Sequence, residues 1–163
     1  MRRTKAEQIA HGKKMEKFFG LQVCKVLLNH GIPYNISHMK DEYCCVDFKM
    51  KHTEDNTMLC FLELKSRSGI SGYDSYRIGL DKMREIHRTN KKPAYLIWYD
   101  ESNGKMFYTE YSTDFMHYRQ HFCKEARNYY ILIDKSDTTE CTIEEFVVQI
   151  TSNHHIISPL IGS

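Results

Sequence analysis

The 163-residue chain has no apolar run long enough to span a membrane, so nothing in it is expected to cross a bilayer. Its first residues, MRRTKAEQIAHGKK, carry basic side chains with no apolar stretch behind them, which argues against a secretory signal. It has only three prolines and eight glycines, and no Pro/Gly/Ser linker, low-complexity tract or internal repeat. A single domain over 1–163 is therefore expected. It has six cysteines but no CxxC pair. Cys44 and Cys45 are adjacent, Cys60 falls within an apolar strand, and Cys24 within a helical pattern. That spacing supports neither a zinc knuckle nor a redox motif. Free thiols in a reducing compartment fit it better, and an intracellular location in cytoplasm or nucleus is expected.

Hydrophobic content of 41% and charged content of 27% are those of a globular protein. The net charge of +2 hides an asymmetry. Residues 1–92 hold 18 Lys and Arg against 11 Asp and Glu, whereas 93–163 hold 5 against 10. A basic first half is what a polyanion-binding face needs, although a solvated surface has the same composition. The acidic second half offers no legible chemistry. It is expected to make a poor nucleic-acid face and to serve instead as a homodimer or partner surface.

Ile9, Met15, Phe19, Val23, Val26 and Leu27 recur at helical spacing and predict a helix over 4–30, stopped by Gly31 and Pro33. Strands are expected over 34–39, 42–50 and 58–65, with a turn at 52–57 joining the last two into a hairpin. A helix over roughly 76–90 follows, with Ile78, Met83 and Ile86 inward. Strands over 94–100 and 105–111 flank the hairpin signal ESNG. A helix near 113–126 and a strand over 129–134 come next. The last helix opens near Thr142, with Glu145 at capping-box spacing. Tyr95, Trp98 and Tyr99 are expected in the core. The order predicts an α/β fold, a mixed central sheet flanked by helices.

One stretch does not fit a purely structural reading. Met58 to Ser68 is MLCFLELKSRS, an apolar strand that runs straight into charge. Glu63 and Lys65 share a strand face with Phe61, and Leu62 and Leu64 point the other way. In the preceding strand, Asp47 is another charge set between apolar neighbours, Val46 and Phe48. If the two strands pair across 52–57, Asp47 and Glu63 converge. Two carboxylates brought together repel unless a proton or cation lies between them. A hard divalent ion such as Mg²⁺ suits that place, because it takes oxygen ligands and keeps several waters. The bland alternatives are an exposed Glu-Lys pair on an edge strand and an aspartate of a turn or hairpin face.

Asp47 followed by Glu63-Leu64-Lys65 resembles the D…(D/E)xK core of the PD-(D/E)XK nuclease superfamily, whose fold is restriction-endonuclease-like with an α-β-β-β-α-β core. Val46 stands where the family's name has proline, a departure, though many members also lack that proline. The first helix adds to the resemblance: in GKKMEKFFG, Gly12 and Gly20 lie one turn either side of Glu16. Gly12, Glu16, Leu27 or Leu28 and Gly31 resemble the G…E…L…G pattern of archaeal-type Holliday junction resolvases. The likeness covers roughly residues 10–100.

The resemblance implies Mg²⁺ or Mn²⁺ held by Asp47, Glu63 and the Leu64 carbonyl, and hydrolysis of DNA phosphodiester bonds. It gives Lys65 the attacking water and Glu16 a supporting role or a share in a second ion. The expected partner is DNA, duplex or branched, with junction resolution the favoured role. Lys13, Lys14, Arg67, Tyr73, Tyr76, Arg77 and Lys82 are candidates for substrate contact. Two alternatives stand beside this reading. One is an RNA-cleaving endonuclease of the cap-snatching type, which places a histidine on the first helix; His11 is out of helical phase with Glu16. The other is a non-catalytic nucleic-acid-binding module of the same fold. His154 and His155 are expected on the surface of a polar tail rather than as metal ligands.

Overall fold

In the computed structural model, residues 2–39, 46–89 and 92–155 are described. Cys44, Cys45 and the first part of the strand expected over 42–50 lie outside them.

Helix α1 (Lys5–Asn29) begins at a capping box in which Thr4 and Glu7 satisfy each other's backbone N–H groups. Three strands follow: β1 (Tyr34–His38), β2 (Phe48–His52) and β3 (Met58–Arg67). All three pair antiparallel in that order, so the hairpin expected across 52–57 is present. Next come β4 (Ser75–Gly79), α2 (Leu80–Thr89), β5 (Ala94–Asp100) and β6 (Met106–Glu110). The chain continues through β7 (Gln120–Cys123), β8 (Asn128–Asp134), β9 (Thr139–Cys141) and α3 (Ile143–His155).

The main sheet has six strands in the order β1-β2-β3-β5-β6-β9, and β3 and β5 at its centre are parallel. Its other pairs are antiparallel, which makes it the expected mixed sheet. β5 reads AYLIWYD and is buried on both faces, as a central strand covered on two sides must be. On one face, Phe19, Val23 and Leu27 of α1 and Phe146, Val147 and Ile150 of α3 pack on Met50, Leu62 and Ile97. On the other, Met83 and Ile86 of α2 pack with Leu96, Trp98 and Phe107. This second layer also holds a small antiparallel sheet, β4-β8-β7, which contributes Tyr76, Ile78, Ile131 and Ile133.

Three expectations are corrected. The helix expected over 76–90 starts only at Leu80, because 75–79 pairs with β8 as a strand. Tyr76 and Ile78 alternate inward on that strand. Their spacing to Met83 and Ile86 mimics a helical stripe. The helix expected near 113–126 is a single 3-10 turn over Thr113–His117, and β7 follows it. Ile9, assigned to the inner stripe of α1, is 54% exposed. The capping box of α3 is present: Thr142 and Glu145 exchange side-chain and backbone hydrogen bonds. Cys24, Cys60, Cys123 and Cys141 are free thiols.

Candidate active site

β2 and β3 pair only as far as Phe48 and Leu62. Beyond that point β3 continues through Glu63, Leu64, Lys65, Ser66 and Arg67, and among the described strands it pairs there with β5. The strand thus runs two residues further than expected, with one edge released from β2. Asp47 does not sit within β2, as expected, but in the bend before it. Its backbone N–H still donates to Leu62 O at 3.1 Å. Its carboxylate then takes the place of a ladder acceptor, and Leu64 N–H donates to Asp47 Oδ2 at 2.8 Å. An aspartate side chain therefore satisfies a β3 amide where the neighbouring strand turns away.

Asp47 and Glu63 do converge. Burial, with the Asp47 charge next in weight, pushes the Glu63 carboxyl up to about 8, and the Lys82 ammonium only partly opposes them. Burial likewise raises Asp47 to about 6 against the Leu64 hydrogen bond, with Glu16 adding to the rise. Among the described residues, Glu63 Oε2 is buried with no hydrogen-bond donor, while Oε1 lies 3.3 Å from Lys82 Nζ and the Asp47 carboxyl adjoins the pair. Lys65 follows on the same face. Burial lowers its ammonium to about 8, and Arg77 and Arg67 act in the same direction.

Glu16 reaches this group from α1, its Oε2 2.7 Å from His38 Nε2. The flanking glycines have different reasons. A Cβ at Gly12 would meet nothing within 4 Å, so this position leaves the site open. A Cβ at Gly20 would come to 3.3 Å of the Phe48 ring, so this glycine serves close helix–sheet packing.

Glu16, Glu63, Lys65, Arg67, Arg77 and Lys82 line one cleft of about 830 Å³. Of the other expected contacts, Lys13 and Lys14 are exposed, and Lys13 lines a separate groove of about 860 Å³ that also touches Gly12 and Glu16. Tyr73 is exposed and does not line the cleft. Tyr76 is corrected outright: it is a core residue stacked on Trp98 at 5.3 Å. Lys82 is held by Glu63 rather than free for an incoming anion. His11 does not face the carboxylates but pairs with Glu101 at 2.7 Å.

Several cleft residues had no signal in the sequence. Asn128 and Tyr130 come from β8, in the half expected to hold no chemistry. His38 could not be linked to Glu16 without knowing that β1 lies beside α1. The site is steadied from below by Asp100, fully buried at the end of β5, which accepts hydrogen bonds from Gly69, Ser71 and Ser102. Burial works against its ionisation, and the Ser102 and Ser71 hydrogen bonds outweigh burial and hold its carboxyl well below the usual range.

Among the described residues, no three of His, Cys, Asp and Glu gather closely enough to encase a metal ion. A magnesium-type ion does not need three: it is commonly bound by one or two carboxylates, with water and substrate phosphate completing the shell. Two adjoining half-buried carboxylates, one with a buried oxygen that accepts from no donor among the described residues, fit that donor set.

No family model and no curated protein matches the sequence. Solved structures do. Hjc, a Holliday junction resolvase from the archaeal hyperthermophile Archaeoglobus fulgidus, is 13% identical, with a TM-score of 0.45 over 80% of this chain and 97% of that one. D212, a nuclease from a fusselovirus, is 14% identical, with a TM-score of 0.54 over 95% of this chain and 97% of that one. The chain thus shares the fold of the viral nuclease nearly end to end, and that fold is the restriction-endonuclease-like one implied by Asp47, Glu63 and Lys65.

Proposed function

We propose that this chain is a metal-dependent endonuclease that hydrolyses DNA phosphodiester bonds, with a branched duplex such as a four-way junction as favoured substrate. One observation carries the reading. Asp47 and Glu63, both half-buried, are set against each other beside Lys65, and Glu63 and Lys65 line an open cleft, where ordinary structural roles would keep like charges apart. The fold shared with a nuclease supports it. The preference for a junction rests on the pattern of Gly12, Glu16, Leu27 or Leu28, and Gly31 alone.

Asp47 and Glu63, with the Leu64 carbonyl, would hold the ion. When bound, a divalent cation there neutralises the scissile phosphate and makes water a better nucleophile near neutral pH. Lys65 orients the attacking water and offsets charge as it builds on the phosphorane. Its lowered pKa leaves a share of neutral amine near pH 8, suited to accepting a proton. Glu16, fixed by His38, bounds the water side of the carboxylate pair. Release of the 3′ oxygen leaves a 5′-phosphate. The pairing of His11 with Glu101 weighs against the cap-snatching alternative, which would use a helix histidine at the ion.

Labelled linear duplex, single strand, four-way junction and RNA, each with Mn²⁺, Mg²⁺ or EDTA, test the reading. Cutting is expected with either ion, greatest on the junction, and at least about 10²-fold slower in Glu63→Ala and Lys65→Ala. Preference for RNA would move the substrate to the alternative. Binding without cutting, unchanged by either substitution, would leave only a binding module.

A further inference from the structure

Among the described residues, three cations in the cleft have no ion-pair partner, although the nearby Glu63 charge acts on Lys65. Lys82 and Arg88 are paired with Glu63 and Glu85. Among the described residues, no carboxylate lies within ion-pair distance of Lys65, Arg67 or Arg77. They are nonetheless held close together. The Arg77 guanidinium lies 4.6 Å from the centre of the Tyr130 ring and the Lys65 ammonium 5.4 Å from the same centre. Arg67 lies two residues on from Lys65 and is tied back by a hydrogen bond from Nη1 to Ser66 O at 2.7 Å.

Like charges gathered this way cost stability unless something offsets them. The ring offsets part, because an aromatic face attracts a cation. An anion would offset the rest. The platform itself is fixed. Tyr130 pairs with Gly79 across the small sheet, and a Cβ at 79 would lie 3.9 Å from the Tyr130 ring and 3.5 Å from Asn128 Nδ2. Ring and amide therefore rest on bare β4 backbone. Asn128 Oδ1 accepts from Tyr129 N–H, which leaves the Asn128 amide N–H groups as neutral donors on the same wall.

We propose that Arg67 and Arg77, seated with Lys65 about Tyr130, form a second anion subsite that takes the phosphate next to the scissile one. The identity of that anion rests on the nuclease reading above. The carboxylates and Lys65 address the phosphate to be cut, and the small sheet supplies a grip one nucleotide along the same strand. The substrate is then a strand with consecutive phosphates, read by its backbone rather than its bases. A phosphomonoester or a dinucleotide with a single phosphate fills only one of the two positions and is a poor substrate.

The subsite can be examined without metal and without cleavage. Full-length ¹⁵N-labelled protein in EDTA is titrated with inorganic phosphate while the arginine Nε–H signals are followed, with Arg84 and Arg127, exposed like Arg67 and Arg77 but outside the cleft, as references. Arg67 and Arg77 are expected to shift along one shared isotherm, about tenfold tighter than the references. Arg77→Gln should weaken the Arg67 response, and Tyr130→Leu should weaken both, whereas Tyr130→Phe keeps the ring and the response. All four arginines titrating alike, or Arg67 and Arg77 following separate isotherms, would overturn the subsite. In a parallel assay with Mg²⁺, a neutral methylphosphonate next to the cut should slow wild type about tenfold and Arg77→Gln far less; equal slowing in both also overturns it. Cutting without a shared phosphate response removes the subsite and leaves the nuclease; a phosphate response without cutting does the reverse.

Discussion

At the scale of single residues, the carboxylate pair makes stability depend on pH in an unusual direction. Most salt-bridged carboxylates have depressed pKa values and stabilise a protein as pH rises. Glu63 and Asp47 are raised, to about 8 and about 6, so the folded chain binds more protons than the unfolded one. Their contribution is fully present below the unfolded carboxylate range and is lost as pH rises through the folded values. In EDTA, Glu63→Gln is therefore expected to gain stability over wild type between pH 5 and pH 8. The gain should be on the order of 3 kcal/mol at pH 8, measured by urea unfolding. Added Mg²⁺ at pH 8 should reverse the ranking, because only wild type has the second carboxylate to hold it. A Glu63→Gln variant no more stable than wild type at pH 8 would mean that Glu63 is solvated rather than buried. Glu63 and Lys65 were legible because charge inside an apolar strand is costly and so needs a cause. Asp47 was legible as a charge between apolar neighbours, although it lies in the bend before β2 and not in the strand. The Glu16–His38 contact was not, since it joins a helix to a strand edge through space.

At the scale of elements, α1 offers a paired comparison. Gly12 and Gly20 each cost the helix about 1 kcal/mol relative to alanine, but only Gly20 faces a neighbour. Gly12→Ala is expected to raise stability by about 1 kcal/mol while narrowing the mouth of the cleft. Gly20→Ala should gain less or lose, because the Phe48 ring must yield by a few tenths of an ångström. Equal gains from both, in thermal or urea unfolding, would refute the packing account of Gly20. The long elements α1, β3 and β5 were evident from periodicity and apolar runs, and α3 from its capping box. The elements that misled were short ones whose partners are distant. β4 exists because β8 pairs with it, and the exposed QHFC of β7 has no buried pattern to betray a strand. Neither fact is local to the sequence.

At the scale of the whole molecule, the division of charge along the chain does not become a division in space. β5, from the acidic half, lies directly against β3 from the basic half, and β8 brings Asn128 and Tyr130 to the cleft. Homodimer formation remains a separate expectation: light scattering should give twice the 19.4 kDa chain mass, and a single 19.4 kDa species would end it. The lone tryptophan ties the core to the cleft more directly. Trp98 is buried, stacked on Tyr76, lines the cleft, and donates its indole N–H to Arg77 O at 3.3 Å. All indole fluorescence of this chain therefore comes from one spot, where the hydrophobic interior meets the strand that carries Arg77. A single optical signal can follow both the melting of the core and the arrival of a ligand, with no label attached.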